Sequence, residues 1–132
     1  MVTAERIERT TLKNLIHNED YTRKVLPFLK AEYFDDRKER IVFDEIRKFI
    51  VQYNKRPTKE TLEIDIGKRK DLNEEEYKQI VDIIATLNKE EIDLDWLVNT
   101  TEKFCKDRAV HNAVMDGIHI LDGKDKKHTP EA

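Results

Sequence analysis

Glycine and proline each occur only three times in 132 residues, and cysteine once. So little turn chemistry argues against a fold of many short strands, because each reversal would need a Gly, Pro or Asn cluster. The lone Cys105 can close no internal disulfide and has no partner for a zinc ribbon or a redox pair. A reducing cytoplasm is the expected setting. Long apolar runs are missing too. The segment Met1 to Leu12 has no apolar core of a signal peptide, and no run approaches the roughly 20 apolar residues that span a bilayer, so no membrane association is expected. Neither sign of charge dominates: 25 basic against 28 acidic side chains leave a formal charge of −3. That balance argues against a protein whose whole surface tracks a phosphate backbone, while leaving a local basic patch open.

What is abundant is charge itself, 40% of residues, against 38% hydrophobic. A chain of this length fits one domain with a lean core, built from elements that each carry one apolar stripe and a broad wet face. The expected fold is therefore all-α, a compact helical bundle. A first stripe holds Leu12, Leu15 and Ile16, with a break at Asn18. A second runs Tyr21, Val25, Phe28 and Leu29, but Pro27 lacks an N–H and crowds the preceding turn, which predicts two short pieces rather than one helix. Val42, Phe43, Ile46, Phe49, Ile50 and Tyr53 recur at spacings of three and four, and Asp36 with Glu39 has the form of a capping box, predicting a helix over 36–53. Asn54 and Pro57 end it. Thr58 can cap a short helix with Leu62 and Ile66, closed by Gly67, and Asn73 with Glu76 opens another whose buried face reads Tyr77, Ile80, Val81, Ile84 and Leu87.

The longest stretch without proline runs from Asp93 to Leu121, and its apolar positions spread over more than one stripe. At 1.5 Å per residue it would be about 40 Å long, against a radius of gyration of about 14 Å for a domain of this size. Its distal half should protrude. Val110, Val114, Ile118 and Leu121 on that half would then need a partner, since exposed apolar patches of this kind mark interfaces. Trp96 near its start reads equally well as an interface anchor and as the pin that holds the helix to the head. Phe104 is counted with the interface residues. Lys68, Arg69 and Lys70 in an expected loop are candidates for contact with phosphate or an acidic partner, as are Arg37, Lys38 and Arg40; a solvated surface is the plainer reading of both clusters. From Gly123 onward the polar tail 123–132 is expected to be disordered or the start of a linker, leaving 1–122 as the domain.

No catalytic apparatus is legible. A phosphate-cradling Walker loop needs a glycine five residues ahead of a Gly-Lys pair, but Leu62 precedes Gly67-Lys68 at that distance and Ile118 precedes Gly123-Lys124. His111 and His119 lie two helical turns, about 12 Å, apart, too far to share one tetrahedral ion. Cys105 has no histidine at a neighbouring turn and reads as a packed core residue. Paired carboxylates such as Asp93 with Asp95 sit where helices begin and serve caps and dipoles. No cofactor, metal or catalytic residue is assigned to this chain.

Read in order, these pieces resemble the N-terminal domain of DnaB-type replicative helicases, most closely the branch encoded by large tailed phages. The residues that carry the resemblance are Leu12-Lys13-Asn14-Leu15-Ile16, then Tyr21 through Pro27 with Glu32-Tyr33-Phe34. Val42-Phe43 and Ile46, followed by Arg56-Pro57-Thr58 and Leu62, form a second block. Trp96-Leu97-Val98, Thr101-Glu102-Lys103-Phe104, Arg108-Ala109 and Asn112-Ala113 form the third. The resemblance covers roughly Leu12 to Leu121 and rests on order and spacing. It implies a non-catalytic collar domain that joins copies of itself, as dimers in a hexameric ring, through a helical hairpin projecting from a globular head. It also implies docking of primase and of a helicase loader. ATP and magnesium, and the main contact with single-stranded DNA, would belong to a motor domain that in the family follows through a linker helix. This sequence stops at Ala132, and is expected to be a piece of a longer protein or a stand-alone homologue. The alternative from another class is a small helical DNA-binding loader or regulator working through Lys68 to Lys70.

Overall fold

The structure, a computed structural model, describes residues 4–121. These form six α-helices and, among the described residues, no strand: α1 (Ala4–His17), α2 (Glu19–Val25), α3 (Arg37–Tyr53), α4 (Lys59–Gly67), α5 (Glu74–Ala85) and α6 (Leu94–Leu121). The all-α expectation holds. The tail 123–132, and with it the boundary drawn at 122, lies outside the described residues.

Local chemistry sets most of the boundaries. Asn18 ends α1 and caps α2, its side chain accepting from the Tyr21 N–H at 3.0 Å, and the Thr22 hydroxyl ties the corner by donating to the carbonyls of Leu15 and Asn18. Pro27 acts as expected: α2 stops at Val25 and the chain continues as 3-10 turns over Leu26–Phe28 and Ala31–Tyr33. Asn54 takes the left-handed conformation that ends α3 (φ 55°), its N–H bonded to the Ile50 carbonyl, a conformation asparagine tolerates better than most residues. Thr58 with Thr61, and Asn73 with Glu76, close reciprocal capping boxes on α4 and α5, each satisfying two otherwise orphaned N–H groups.

Two expectations about caps change. Asp36 caps α3 by accepting from the Lys38 N–H, but Glu39 does not close a box with it: it is buried and takes an ion pair from Arg9 at 2.9 Å. Gly67 does not end α4 through a left-handed cap, because the cap is Lys68 in the right-handed region. Its value is space, since a Cβ there would stand 3.3 Å from Cε1 of Tyr77, close enough that the ring would have to give by a few tenths of an ångström.

The core is one cluster that joins Leu12, Leu15 and Ile16 of α1 to Val42, Phe43 and Ile46 of α3, with Leu62, Ile66, Ile80 and Ile84 behind them. Phe34 sits near its centre, stacked on Phe43 with centroids 5.2 Å apart and meeting Phe104 edge-on at 6.2 Å. α3 packs on α1, α4 and α5, while the first half of α6 lies against α1 and α2. Tyr53, expected on the buried stripe of α3, is instead exposed at its final turn and leans on Phe49 at 4.7 Å.

Candidate interaction surface

α6 runs for 28 residues, about 42 Å at 1.5 Å per residue, and its two halves use different sides. Over the first half Leu97, Thr101, Phe104 and Cys105 are buried against the head. Thr101 and the Tyr21 hydroxyl share a buried hydrogen bond of 2.7 Å. Burial pushes the Tyr21 phenol up to about 12, with Thr101 opposing the shift.

Where α6 leaves the head, Arg108 forms the neck. Its guanidinium pairs twice with the Asp35 carboxylate, at 2.9 and 2.8 Å, stands 3.8 Å from the buried carboxylate of Glu8, and lies over the Phe104 ring at 5.5 Å. Glu8 in turn accepts from the Asp35 N–H at 2.8 Å. Burial raises the Glu8 carboxyl above its ordinary value of 4.5, and neighbouring Glu39 adds to the shift against the Asp35 N–H and Arg108. One turn further on, the Asn112 amide donates to the Glu32 carbonyl at 3.3 Å. Beyond Asn112, no hydrogen bond to the head is found among the described residues.

The distal half is then open. Val110 is 64% exposed, Val114 54% and Ile118 44%, with Met115 exposed beside them. Successive residues of an α-helix turn by about 100°, so the i, i+4, i+8 series Val110, Val114, Ile118 forms a slowly drifting stripe that starts opposite Thr101 at Val110 and is centred roughly 105° round the helix from the face of Leu97, Thr101 and Phe104. Over the first half the corresponding side carries the half-exposed Trp96 and then Asn99, Lys103 and Asp107, all exposed. Past the neck this side turns aliphatic. The side chain of Leu121, the fourth residue expected on the stripe, lies outside the described residues.

Other expected site residues fall elsewhere. Phe104 is a correction: at 6% exposure it belongs to the core, because it faces the head side of α6 and meets Phe34. Trp96 is 46% exposed and, with Ile7, Thr10 and Ile92, lines a small cleft of about 140 Å³, so it both rests on the head and offers its indole to solvent. Within the basic loop, Arg69 is engaged by Glu45 at 2.8 Å and Asp71 at 3.0 Å, and its hydrogen bonds with Asp71 lower that carboxyl. Lys68 and Lys70 are exposed, with Lys68 3.7 Å from Asp65. Arg37 is held by Glu76 and Arg40 by the carbonyls of Phe34 and Asp35.

Burial, with a contribution from Glu102, pushes the Cys105 thiol up to about 12, which suits a packed side chain and not a nucleophile. Among the described residues, no group of three His, Cys, Asp or Glu side chains is placed to hold a metal ion, and no helix is long and apolar enough to cross a membrane.

No protein-family profile matches the chain. Over 109 residues, 83% of its length, it is 30% identical to the DnaB-like replicative helicase of Enterobacteria phage T4. The likeness is to a helicase segment. That stretch amounts to 23% of the phage helicase, so the chain spans less than a quarter of the relative it matches.

Proposed function

We propose that this chain is a non-catalytic oligomerisation and docking domain of a hexameric replicative DNA helicase, forming an N-terminal collar that contacts primase and a helicase loader during DNA replication. The observation that carries the reading is the apolar stripe on α6, presented in solvent on an arm beyond the head. A helix held to its own domain by one side, and carrying past the neck a run of exposed aliphatic side chains on a different side, is built to be covered by something else. Similarity to a segment of a replicative helicase supports the setting. ATP hydrolysis, with its magnesium, is assigned to a motor domain outside this chain, as is the main contact with single-stranded DNA.

Energetics sets the expected strength. Burying three half-exposed aliphatic side chains from each of two copies stabilises a contact by roughly 5–9 kcal/mol, and the loss of translational and rotational freedom costs about 4–15 kcal/mol. Self-association through this stripe alone is therefore weak, and a stable ring draws on further surface.

Sedimentation velocity of the chain over a wide concentration range tests the reading. Dimers or higher multiples that grow with concentration are expected. A strict monomer up to the highest concentration, both for this chain and for a protein extended by a linker helix, would remove the collar. The DNA-binding loader or regulator gains little from Lys68 to Lys70, because Arg69, the central member of that cluster, is already occupied by Glu45 and Asp71.

A further inference from the structure

A second surface stands apart from the α6 stripe. Between α2 with its following 3-10 turn and the last turns of α3 runs a cleft of about 540 Å³, within the size range of clefts that take up ligands or anchoring side chains. Leu26, Pro27, Ile50 and Val51 supply its apolar lining, and Val51 is 74% exposed there although aliphatic. Around them stand Arg23, Arg47, Lys55 and Arg56, with Glu19 as the only carboxylate among the lining residues.

Charge is distributed unevenly over this rim. Glu19 is engaged by Arg23, and Arg56 donates to the Ile16 carbonyl at 2.8 Å. Arg47 and Lys55 are exposed and, among the described residues, form no ion pair. Arg37, Arg69 and Arg108, by contrast, are each held by carboxylates. In a chain of net charge −3, the cleft gathers four cations against one acid over an apolar floor.

We infer that this cleft receives an acidic, amphipathic segment of a partner protein, its apolar side chains on Leu26, Ile50 and Val51 and its carboxylates on Arg47 and Lys55. A groove between helices, with apolar anchors below and cations at the rim, matches the way an amphipathic helix is taken up. Nucleic acid fits less well: bases are held on aromatic faces, no aromatic side chain lines the cleft, and phosphates have no use for Leu26 or Val51. The inference does not depend on the helicase reading, since the two surfaces share no residue.

Fluorescence anisotropy on the whole chain tests it with three labelled probes. One is a helix-forming peptide of about four turns with Leu at i, i+3, i+4, i+7 and Glu elsewhere. The second has Lys in place of Glu, and the third is single-stranded oligodeoxythymidylate. The substitutions Arg47→Glu with Lys55→Glu, and separately Val51→Asp, fall on exposed positions, and far-UV circular dichroism verifies that each variant folds. The acidic peptide is expected to bind saturably and more weakly as salt rises, and to lose at least about tenfold in affinity in both variants. Lys68→Glu with Lys70→Glu and Val114→Asp with Ile118→Asp leave its binding unchanged.

Several results would overturn the proposal: no saturable binding of the acidic peptide, equal binding of the lysine peptide, or binding undiminished in the cleft variants. Tight binding of the oligonucleotide, abolished by Arg47→Glu with Lys55→Glu, would make the cleft a nucleic-acid surface. Loss of self-association in that variant would make it a contact between copies, and either outcome would also overturn the proposal.

Discussion

Thr101 and Val110 lie nine residues apart on one unbroken helix and face opposite ways: the Thr101 hydroxyl is buried 2.7 Å from that of Tyr21, and Val110 stands in solvent. Nine residues are two and a half helical turns. The same helix is thus a core element on one side below the neck and an open apolar surface on the other side above it.

The open surface gives the first prediction. Val114→Asp with Ile118→Asp should abolish concentration-dependent association while changing stability by no more than about 0.5 kcal/mol, the usual limit for exposed sites. Sedimentation velocity and thermal melts on the same variant check both halves. A large fall in Tm would mean that these side chains serve the fold and not an interface.

Phe104 is expected to behave as core. Phe104→Ala removes a ring that meets Phe34 and supports the Arg108 guanidinium, and should cost about 3–5 kcal/mol in urea unfolding. A loss under about 1 kcal/mol, within the range of surface substitutions, would put the ring back on the interface.

The Tyr21–Thr101 hydrogen bond holds α6 to α2 across a buried boundary. Thr101→Val leaves the Tyr21 hydroxyl without that partner and should cost about 1–3 kcal/mol. The double change with Tyr21→Phe should cost less than the sum of the two single changes, because the second removes the group that the first stranded. Additive losses in a double-mutant cycle would show that the two hydroxyls do not act together.

Glu8 gives a pH dependence. A carboxyl whose folded-state value is raised binds its proton more tightly in the folded protein. Its contribution is therefore full below the unfolded value, near 4.5, and is lost as the pH rises through the folded value. Glu8→Gln, which keeps an oxygen to accept the Asp35 N–H, should then match the parent in Tm at acid pH and exceed it near neutrality. A glutamine variant that melts lower than the parent at neutral pH would show that the attraction of Arg108 for Glu8 outweighs burial.

Much of the fold was legible because capping and periodicity are local. Asn18, Asp36, Asn54, Thr58 and Asn73 mark helix ends within a residue of where they fall, and the length and mixed stripes of α6 announced its projection. Properties that depend on what lies across the fold were not legible. Phe104 and Val110 are both apolar residues on one helix, and only the placement of Phe34 separates core from surface. Arg69 and Lys70 look alike in a basic run until Glu45, 24 residues earlier, claims the arginine. The cleft was missed for the same reason, since Arg23 and Leu26 meet Arg47 and Ile50 only in three dimensions. A usable signal was Val51, an aliphatic residue beside Ile50 that the α3 stripe does not need.

The change of polarity at the neck of α6 makes residue count an angular variable. With no interruption between Cys105 and Val110, the head and whatever covers the distal stripe are fixed in phase, like two cams on one shaft. Inserting a single residue there would leave every side chain of the stripe present and rotate it by about 100° while advancing it about 1.5 Å. The residues of the stripe would be the same, yet two such arms would bring their heads together at a different angle, so the geometry of any assembly is written in the spacing between Thr101 and Val110 as much as in their identities.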